Sequence, residues 1–538
     1  MTAATPRRPN ILWLSLEDTS PRFGCYGDPL ARTPHIDRLA AEGRRFPLAF
    51  SVAGVCAPSR AAIITGMYPT AIGAHHMRTS HHNAVAPLAS PPYSVVPPPY
   101  VRTFTEYLRA AGYFCTNNAK TDYQFTPPLT AWDLCGERAH FRRRDADQPF
   151  FAVFNFTVTH ESGMWPRADR PLRTDPDRVV PPPHLPNTAP VREALARHYD
   201  NLEAADARVG EVLSELAADG HAEDTIVFLW SDHGEGLPRG KRWPYDAGIR
   251  IPLIVRWPGA LPPGSTAEEL VSLIDLGPTV LSLTGVPVPL HLQGQPFLGP
   301  RARPRTYVYA SRDRHDEAYD MVRAVRDRRY KYLRNFFPDR PYLPWIPYRN
   351  RHPAMQELWR LEAAGALEGP QRLLLQASRP AEELYDCEAD PYELNNLAAD
   401  PAQEGTLERL RTALDDWRAR VGDLGDVPEE RMVEQMWPGG VQPQTQPPVF
   451  AVLGEGEPGI TPSEGGRYRG PVLLQLHCPT QGASIAYRLE GDAPERWRLY
   501  SAPLRLPQGE TRLVARAVRI GYRDSEERAA TFAVEGGA

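Results

Sequence analysis

Ile11-Leu12-Trp13-Leu14-Ser15-Leu16-Glu17-Asp18 is an almost unbroken apolar run that ends on two carboxylates. A run this short and this apolar is the signature of a strand buried on both faces of a parallel sheet. The same pattern recurs. Phe150–Val158 is a strong strand leading into Thr159-His160-Glu161, and Ile226–Trp230 leads into Ser231-Asp232-His233. Tyr113–Thr116 is a shorter strand leading into Asn117-Asn118-Ala119-Lys120-Thr121-Asp122, and Leu253–Arg256 is another buried strand. Between them lie helical patterns. Thr33–Gly43 carries Ile36, Leu39 and Ala40 on one face, a second helix starts near Pro58 and stops at Gly66, and Thr103–Ala111 closes at Gly112. Arg192–Asp219 carries Leu195, Tyr199, Leu202, Val209, Val212 and Leu216 along one stripe. Helices alternating with apolar strands predict a doubly wound α/β domain with a large, mostly parallel central sheet.

The texture changes near Thr306. Tyr307–Ala310, Met321–Val325 and Tyr330–Leu333 read as strands of a small antiparallel sheet, with helices at about Ala354–Ala364 and Thr406–Val421. A proline- and glutamine-rich stretch, residues 438–448, reads as a linker. Beyond it Val472–His477, Ile485–Leu489, Thr511–Val518 and Ala530–Val534 alternate between turn signals, predicting an all-β sandwich. The expected division is a catalytic α/β domain over 1–305, an α+β subdomain over 306–437, the linker 438–448 and a β-sandwich over 449–538.

Composition excludes several classes of function. The 538 residues suffice for about three or four domains. A net charge of -5 gives no electrostatic footprint for nucleic acid or a polybasic membrane contact. No apolar run approaches the ~18 residues of a membrane span. Met1–Pro9 lacks the apolar segment of a signal peptide, so the expected location is cytoplasmic. Cys25, Cys56, Cys115, Cys135, Cys387 and Cys478 are scattered and suggest neither a disulfide framework nor a zinc cluster. Only three of the 61 basic residues are lysine: Lys120, Lys241 and Lys331. Lysine is a compact point charge and proton donor, a role arginine fills poorly, so each of the three is a candidate for chemistry.

In an open parallel sheet, ligands bind beyond the carboxyl ends of the strands. A single strand-end aspartate reads as a helix N-cap. Glu17-Asp18 and Asp232-His233 meeting at one edge read as a divalent-cation site, because carboxylates gathered without a cation repel one another. Val55-Cys56-Ala57-Pro58-Ser59-Arg60 opens a helix, which places Cys56 at an N-terminus that favours an anion. On these residues alone Cys56 is a buried structural cysteine, a low-pKa thiol or a reactive centre.

Cys56-Ala57-Pro58-Ser59-Arg60, continuing through Thr65-Gly66, resembles the sulfatase signature. Gly24-Cys25-Tyr26-Gly27, Thr33-Pro34-His35-Ile36-Asp37, Ser231-Asp232-His233-Gly234, Glu383-Leu384-Tyr385-Asp386 and Asp390-Pro391-Tyr392-Glu393-Leu394-Asn395-Asn396-Leu397 resemble further family segments in the expected order, over about residues 8 to 420. Thr33–Asp37, His75-His76-Met77-Arg78 and Arg312-Asp313-Arg314 look most like the bacterial branch near the N-sulfoglucosamine sulfohydrolases. The resemblance implies an alkaline-phosphatase-like fold and hydrolysis of sulfate esters or N-sulfo groups, on a sulfated sugar or other small sulfate ester. It implies a formylglycine made from Cys56 by a maturation enzyme, and one divalent cation, calcium or else magnesium or manganese. The implied ligands are Glu17, Asp18, Asp232, His233 and the modified Cys56. Arg60 would brace the nucleophile, and Lys120 and Lys241 would contact sulfate oxygens. One of those lysines or His160 would protonate the leaving group. Lys331 reads as a strand residue of the subdomain.

The chain departs from the family in three places. Glu17 stands where the family commonly has aspartate, and His233 where it often has asparagine. Asp122 stands where many members have a histidine that helps the product leave, so Asp122 is the expected base. His75, His76 and Arg78 are candidates for the substrate mouth, as are Arg312 and Arg314 for an anionic sugar. Trp165 is a candidate for stacking on a sugar, and His81 and His82 carry no argument. Residues 465–536 resemble the small β-domain appended to chitobiase-like glycosidases, for which a spacer role is expected. The alternatives are a phosphonate or phosphate ester hydrolase of the same superfamily, and a non-catalytic carbohydrate-binding protein.

Overall fold

A computed structural model describes residues 8–80, 91–166 and 170–536. Most of the N-terminal stretch read above, with His81 and His82, lies outside the described residues. The first ten strands are β1 (Asn10–Leu16), β2 (Arg44–Arg45), β3 (Ala49–Phe50), β4 (Phe114–Asn118), β5 (Leu134–Cys135), β6 (Phe150–Phe156), β7 (Thr225–Ser231), β8 (Leu253–Arg256), β9 (Ser265–Thr266) and β10 (Val271–Ser272). Eight of them form the central sheet in the order β5-β4-β6-β1-β7-β8-β2-β9, and β3 pairs with β10 apart from it. β5, β4, β6, β1 and β7 run parallel, whereas β8 is antiparallel to both β7 and β2.

Burial explains the apolar runs. Every residue of β1 and β7 is buried. On one face Leu12, Leu14 and Leu16 pack with α1 (Pro34–Glu42) and the long helix Ala189–Ala218. On the other, Trp13 meets Phe151 and Trp230 edge-on, with ring centroids 4.9 and 5.4 Å apart. Each such side chain withdrawn from water contributes about 1.5–3 kcal/mol.

Helix α2 (Cys56–Thr65) begins two residues before the predicted start. The first N–H groups of any helix lack intrahelical partners, so Pro58 fits in the third position at no hydrogen-bond cost. Helix α3 (Phe104–Ala110) carries a Thr103/Glu106 capping box. The predicted strand over 150–158 ends at Phe156, where a single 3₁₀ turn, Thr157–Thr159, redirects the chain.

β11 (Val308–Arg312), β12 (Val322–Arg326), β13 (Tyr330–Asn335) and β14 (Glu382–Asp386) form the antiparallel sheet, in that order. Leu410, Leu414 and Trp417 of the helix Glu404–Val421 pack with its Val325, Tyr332 and Leu384. The helix Pro353–Ala363 instead packs Ala354, Met355 and Leu358 into the core beside the long helix.

The C-terminal region holds a four-stranded and a five-stranded sheet around Phe450, Leu474, Leu513 and Phe532. Val449–Gly454 is a strand that its weak turn signals did not reveal. Residues 438–448 lie along this region, with Gln442 Nε2 donating to Gly521 O at 3.0 Å and Thr445 N to Arg523 O at 3.0 Å. The sandwich also touches the α/β layer, where Arg109 Nη2 donates to Trp497 O at 2.6 Å. Among the described residues no helix is long and apolar enough to cross a membrane.

Candidate active site

The register of the central sheet assembles the site. Leu16 pairs with Phe156 on one side and Ser231 on the other. The residues that follow all three strands therefore leave the same edge, and α2 delivers Cys56 to it. Glu17, Asp18, Cys56, Asp232 and His233 are each 1% exposed or less. Cys56 Sγ lies 3.8 Å from Glu17 Oε1, 3.9 Å from Asp18 Oδ1 and 3.3 Å from His233 Nε2. One ligand atom each from Glu17, Asp18, Cys56 and His160 fall within 4.8 Å of one another, as do those of Cys56, Asp232 and His233.

The donor chemistry fits a cation. His233 Nδ1 donates to Gly234 O at 2.9 Å, which leaves Nε2 facing Asp18 Oδ1 at 2.9 Å. A neutral imidazole lone pair and a carboxylate oxygen are both acceptors. They share that distance stably only around a positive charge, either a metal ion or a second ring proton. Three buried carboxylates point the same way.

Fixed cations surround the cluster. Lys241 Nζ sits 2.7 Å from Asp18 Oδ2, and Lys120 Nζ pairs with Glu17. Arg60 donates from Nε to Asp232 Oδ2 at 2.9 Å and from Nη1 to Asn155 Oδ1 at 2.8 Å, and its buried Nη2 has no hydrogen-bond partner. Burial pushes Asp18 up, but Lys241, His160 and His233 outweigh it and hold the carboxyl well below its ordinary range. Burial likewise opposes ionisation of Asp232, and Arg60, His233 and Lys120 together overcome it. Lys241 stays an ammonium because Asp18 and Glu161 favour its charged form against its own burial. Burial lowers Lys120. Burial and then Lys241 push His160 down to about 4, so its ring is neutral at pH 7.

Burial pushes the Cys56 thiol well above its ordinary value, against the pull of Lys241. Burial therefore favours the protonated thiol in the unmodified residue.

A cleft of about 640 Å³ opens beside this cluster, lined by Arg78, Lys120, Asp122, Gln124 and their neighbours. Asp122 Oδ1 lies 3.5 Å from Arg78 Nη1, and its Oδ2 lies 3.7 Å from Lys120 Nζ. Arg78 and Asp122 are thus at the mouth.

The structure corrects the other mouth candidates. His75 and His76 are buried, their rings 4.3 Å apart. Arg314 is buried and spent. It meets both Glu429 oxygens at 2.7 Å, Met77 O at 2.8 Å and Asp316 O at 2.6 Å. Arg312 is buried with its guanidinium 3.7 Å over the Trp243 ring. None of the four lines the cleft. Arg314→Met should lower folding stability by about 3–5 kcal/mol, because Glu429 is left buried without its cation, with only the Tyr93 and Tyr319 hydroxyls donating to it. Activity per folded molecule should be unchanged, and denaturant unfolding alongside turnover checks both.

The sequence reading passed over three residues. Glu161 receives Arg242 at 2.9 and 2.8 Å and lies 3.3 Å from Lys241 Nζ. Arg242 carried no contrast among 58 arginines, although its place beside Lys241 is a usable signal. Tyr348 holds its ring tilted against Trp165 and His160, with centroids 5.2 and 6.3 Å away. No local pattern announces that contact, which joins segments about 180 residues apart.

The sulfatase family model matches residues 9–126 and 137–286, and a model of the N-sulphoglucosamine sulphohydrolase C-terminal region matches 234–342. An ulvan-active sulfatase of Formosa agariphila is 41% identical, covering 97% of this chain and 91% of that protein. Human N-sulphoglucosamine sulphohydrolase is 30% identical, covering 82% and 95%. Among solved structures, a 2-O GAG sulfatase matches with a TM-score of 0.57 at 21% identity, covering 78% of this chain and 93% of that one. A phosphonate monoester hydrolase from Silicibacter pomeroyi matches with a TM-score of 0.54 at 20% identity, covering 78% and 96%.

Proposed function

This chain belongs to the sulfatase family, a family of sulfuric ester hydrolases, and we propose that it removes sulfate from the oxygen or nitrogen of a sulfated sugar, using a formylglycine made from Cys56 and one divalent cation. The observation that carries this is the convergence on Cys56 Sγ of Glu17 and Asp18 after β1 and His233 after β7, with a ligand atom of His160 after β6 within 4.8 Å. The sugar rests on the relatives' substrates.

A formylglycine at Cys56 would supply a hydrated-aldehyde nucleophile toward sulfur, the bond broken in exchange being the S–O or S–N bond to the sugar, and its second hydroxyl would supply the means of releasing sulfate. A divalent cation supplies positive charge for a sulfate oxygen as the transition state builds negative charge. Calcium suits the hard carboxylates, and the imidazole of His233 keeps magnesium and manganese in play. Glu17, Asp18, Asp232 and His233 are the ligands we assign, with the modified Cys56. The remaining roles fall to charges already fixed. Arg60, locked to Asp232 and Asn155, braces the nucleophile. Lys120 and Lys241 orient the sulfate oxygens from two sides. The proton for the departing atom comes from the Lys120, Lys241 and His160 trio, in which Lys241 Nζ and His160 Nε2 are 3.2 Å apart. Asp122, next to Lys120, is the base we assign to product release. We place the catalytic domain at 1–305 and its subdomain at 306–437, joined through 438–448 to a β-sandwich at 449–538 that serves as a spacer.

The test is a matched pair of aryl esters, one sulfate and one phosphonate, followed by sulfated monosaccharides. The expected result is a kcat/KM at least about tenfold higher for the sulfate, which corresponds to ~1.4 kcal/mol of transition-state preference. A preference for the phosphonate would overturn the assignment in favour of the second superfamily chemistry.

A further inference from the structure

Of the three lysines, Lys331 is the one that the chemistry above does not use. It is fully buried on β13, with Nζ 2.5 Å from Asp246 Oδ1 and 2.7 Å from Glu393 Oε1. Asp246 also receives Arg326, from Nε and Nη2, at 3.1 Å each. Two buried anions thus meet two buried cations. Cys387 Sγ stands 3.9 Å from Glu393 Oε1. Asp246, Cys387 and Glu393 could be read as a metal site. The Lys331 ammonium already sits between the two carboxylates, so no further cation is needed there.

Glu393 does more than pair with Lys331. Its Oε2 accepts the Asp246 backbone N–H at 2.6 Å. Its own carbonyl accepts Arg239 Nη2 at 2.5 Å, and the Tyr392 carbonyl accepts Arg239 Nη1 at 2.6 Å. Arg239 and Asp246 bracket residues 240–245, the loop that carries Lys241 and Arg242. The Tyr392–Glu393 segment of the subdomain therefore fastens both ends of a loop from the α/β layer, one through main-chain carbonyls and the other through the Glu393 carboxylate. The loop needs fastening, because Arg239 and Arg242 hold φ at 66° and 79°, in the left-handed region that non-glycine residues rarely adopt. Burying four charges is a poor route to stability, since apolar replacements often do as well. A fixed geometry is the better account of this arrangement.

We infer that Glu393, with Lys331 and Asp246, is a positioning device that sets Lys241 against the sulfate. This rests on the role assigned to Lys241 above. None of the three touches the cleft, so each acts through the loop.

The experiment is a double-mutant cycle between Glu393→Gln and Lys241→Ala, with amide hydrogen exchange of residues 240–245 as a second readout. Leu384→Ala, in the buried core of the same subdomain, is the control for general destabilisation. Glu393→Gln should slow turnover by about 10²-fold in the otherwise native enzyme, the cost of a small misplacement. In the Lys241→Ala background it should change turnover by no more than about twofold. It should speed exchange in the loop, where Leu384→Ala should not. Should Glu393→Gln fail to fold, Arg239→Gln removes one fastening, leaves the four charges in place and should give the same non-additivity. Equal losses in both backgrounds, or unchanged exchange in the loop, would overturn the inference. An enzyme with no sulfatase turnover would defeat the reading of the site, and the exchange arm would still decide whether Glu393 holds the loop.

Discussion

Cys56→Ala folds with a melting temperature within a few degrees of the parent and loses at least about 10⁴-fold in kcat, the scale seen when a nucleophile is deleted. The thiol is buried and makes only long contacts, 3.3 to 3.9 Å, to its neighbours. Alanine suits a helix better than cysteine does, so little stability is at stake. The chemical loss is nearly total, because a methyl group can be neither oxidised nor hydrated. Arg60, Lys120 and Lys241 remain in place, so the variant should still bind substrate. Turnover and substrate binding measured on one preparation separate the two effects. Retained turnover in Cys56→Ala would show that the nucleophile lies elsewhere.

Asp18→Asn lowers kcat/KM by about 10³-fold and shifts the dependence on added divalent cation to higher concentrations. Asp18 holds φ at 51°, a conformation that asparagine also accepts, so the backbone is spared. The charge is not. Asp18 Oδ2 accepts Glu161 N at 2.7 Å and pairs with Lys241 Nζ at 2.7 Å, while Oδ1 faces His233 Nε2 at 2.9 Å. Neutralising it leaves Lys241 buried with Glu161 as its remaining close anion, at 3.3 Å. It also removes a hard oxygen ligand. A titration of activity against calcium, magnesium and manganese checks this. An unchanged cation dependence in Asp18→Asn would remove Asp18 from the ligand set.

The sheet was legible because a strand buried on both faces must be apolar throughout, and the polar residues after β1, β6 and β7 then stand out as strand ends. Shared register turns three such ends into one site, so Glu17, Asp18, Asp232, His233 and His160 could be gathered from sequence alone. The start of α2 was misjudged because proline favours the first helical position but is tolerated throughout the first turn. His75, His76 and Arg314 were over-read for a different reason. A motif records residue types, whereas a partner such as Glu429, more than a hundred residues further on, decides whether a charge reaches the cleft. Glu161–Arg242 was missed because it joins the turn after β6 to the loop after β7, 81 residues on, and Tyr348–Trp165 because it exists only once the segment around Tyr348 has packed on the α/β layer.

The central claim is that Cys56 is the precursor of the nucleophile. The most direct measurement is the mass of the proteolytic peptide containing Cys56, from active protein made in its own host. The account predicts a peptide with the thiol replaced by an aldehyde, in proportion to the specific activity of the preparation. A fully active preparation whose Cys56 is wholly unmodified would contradict it.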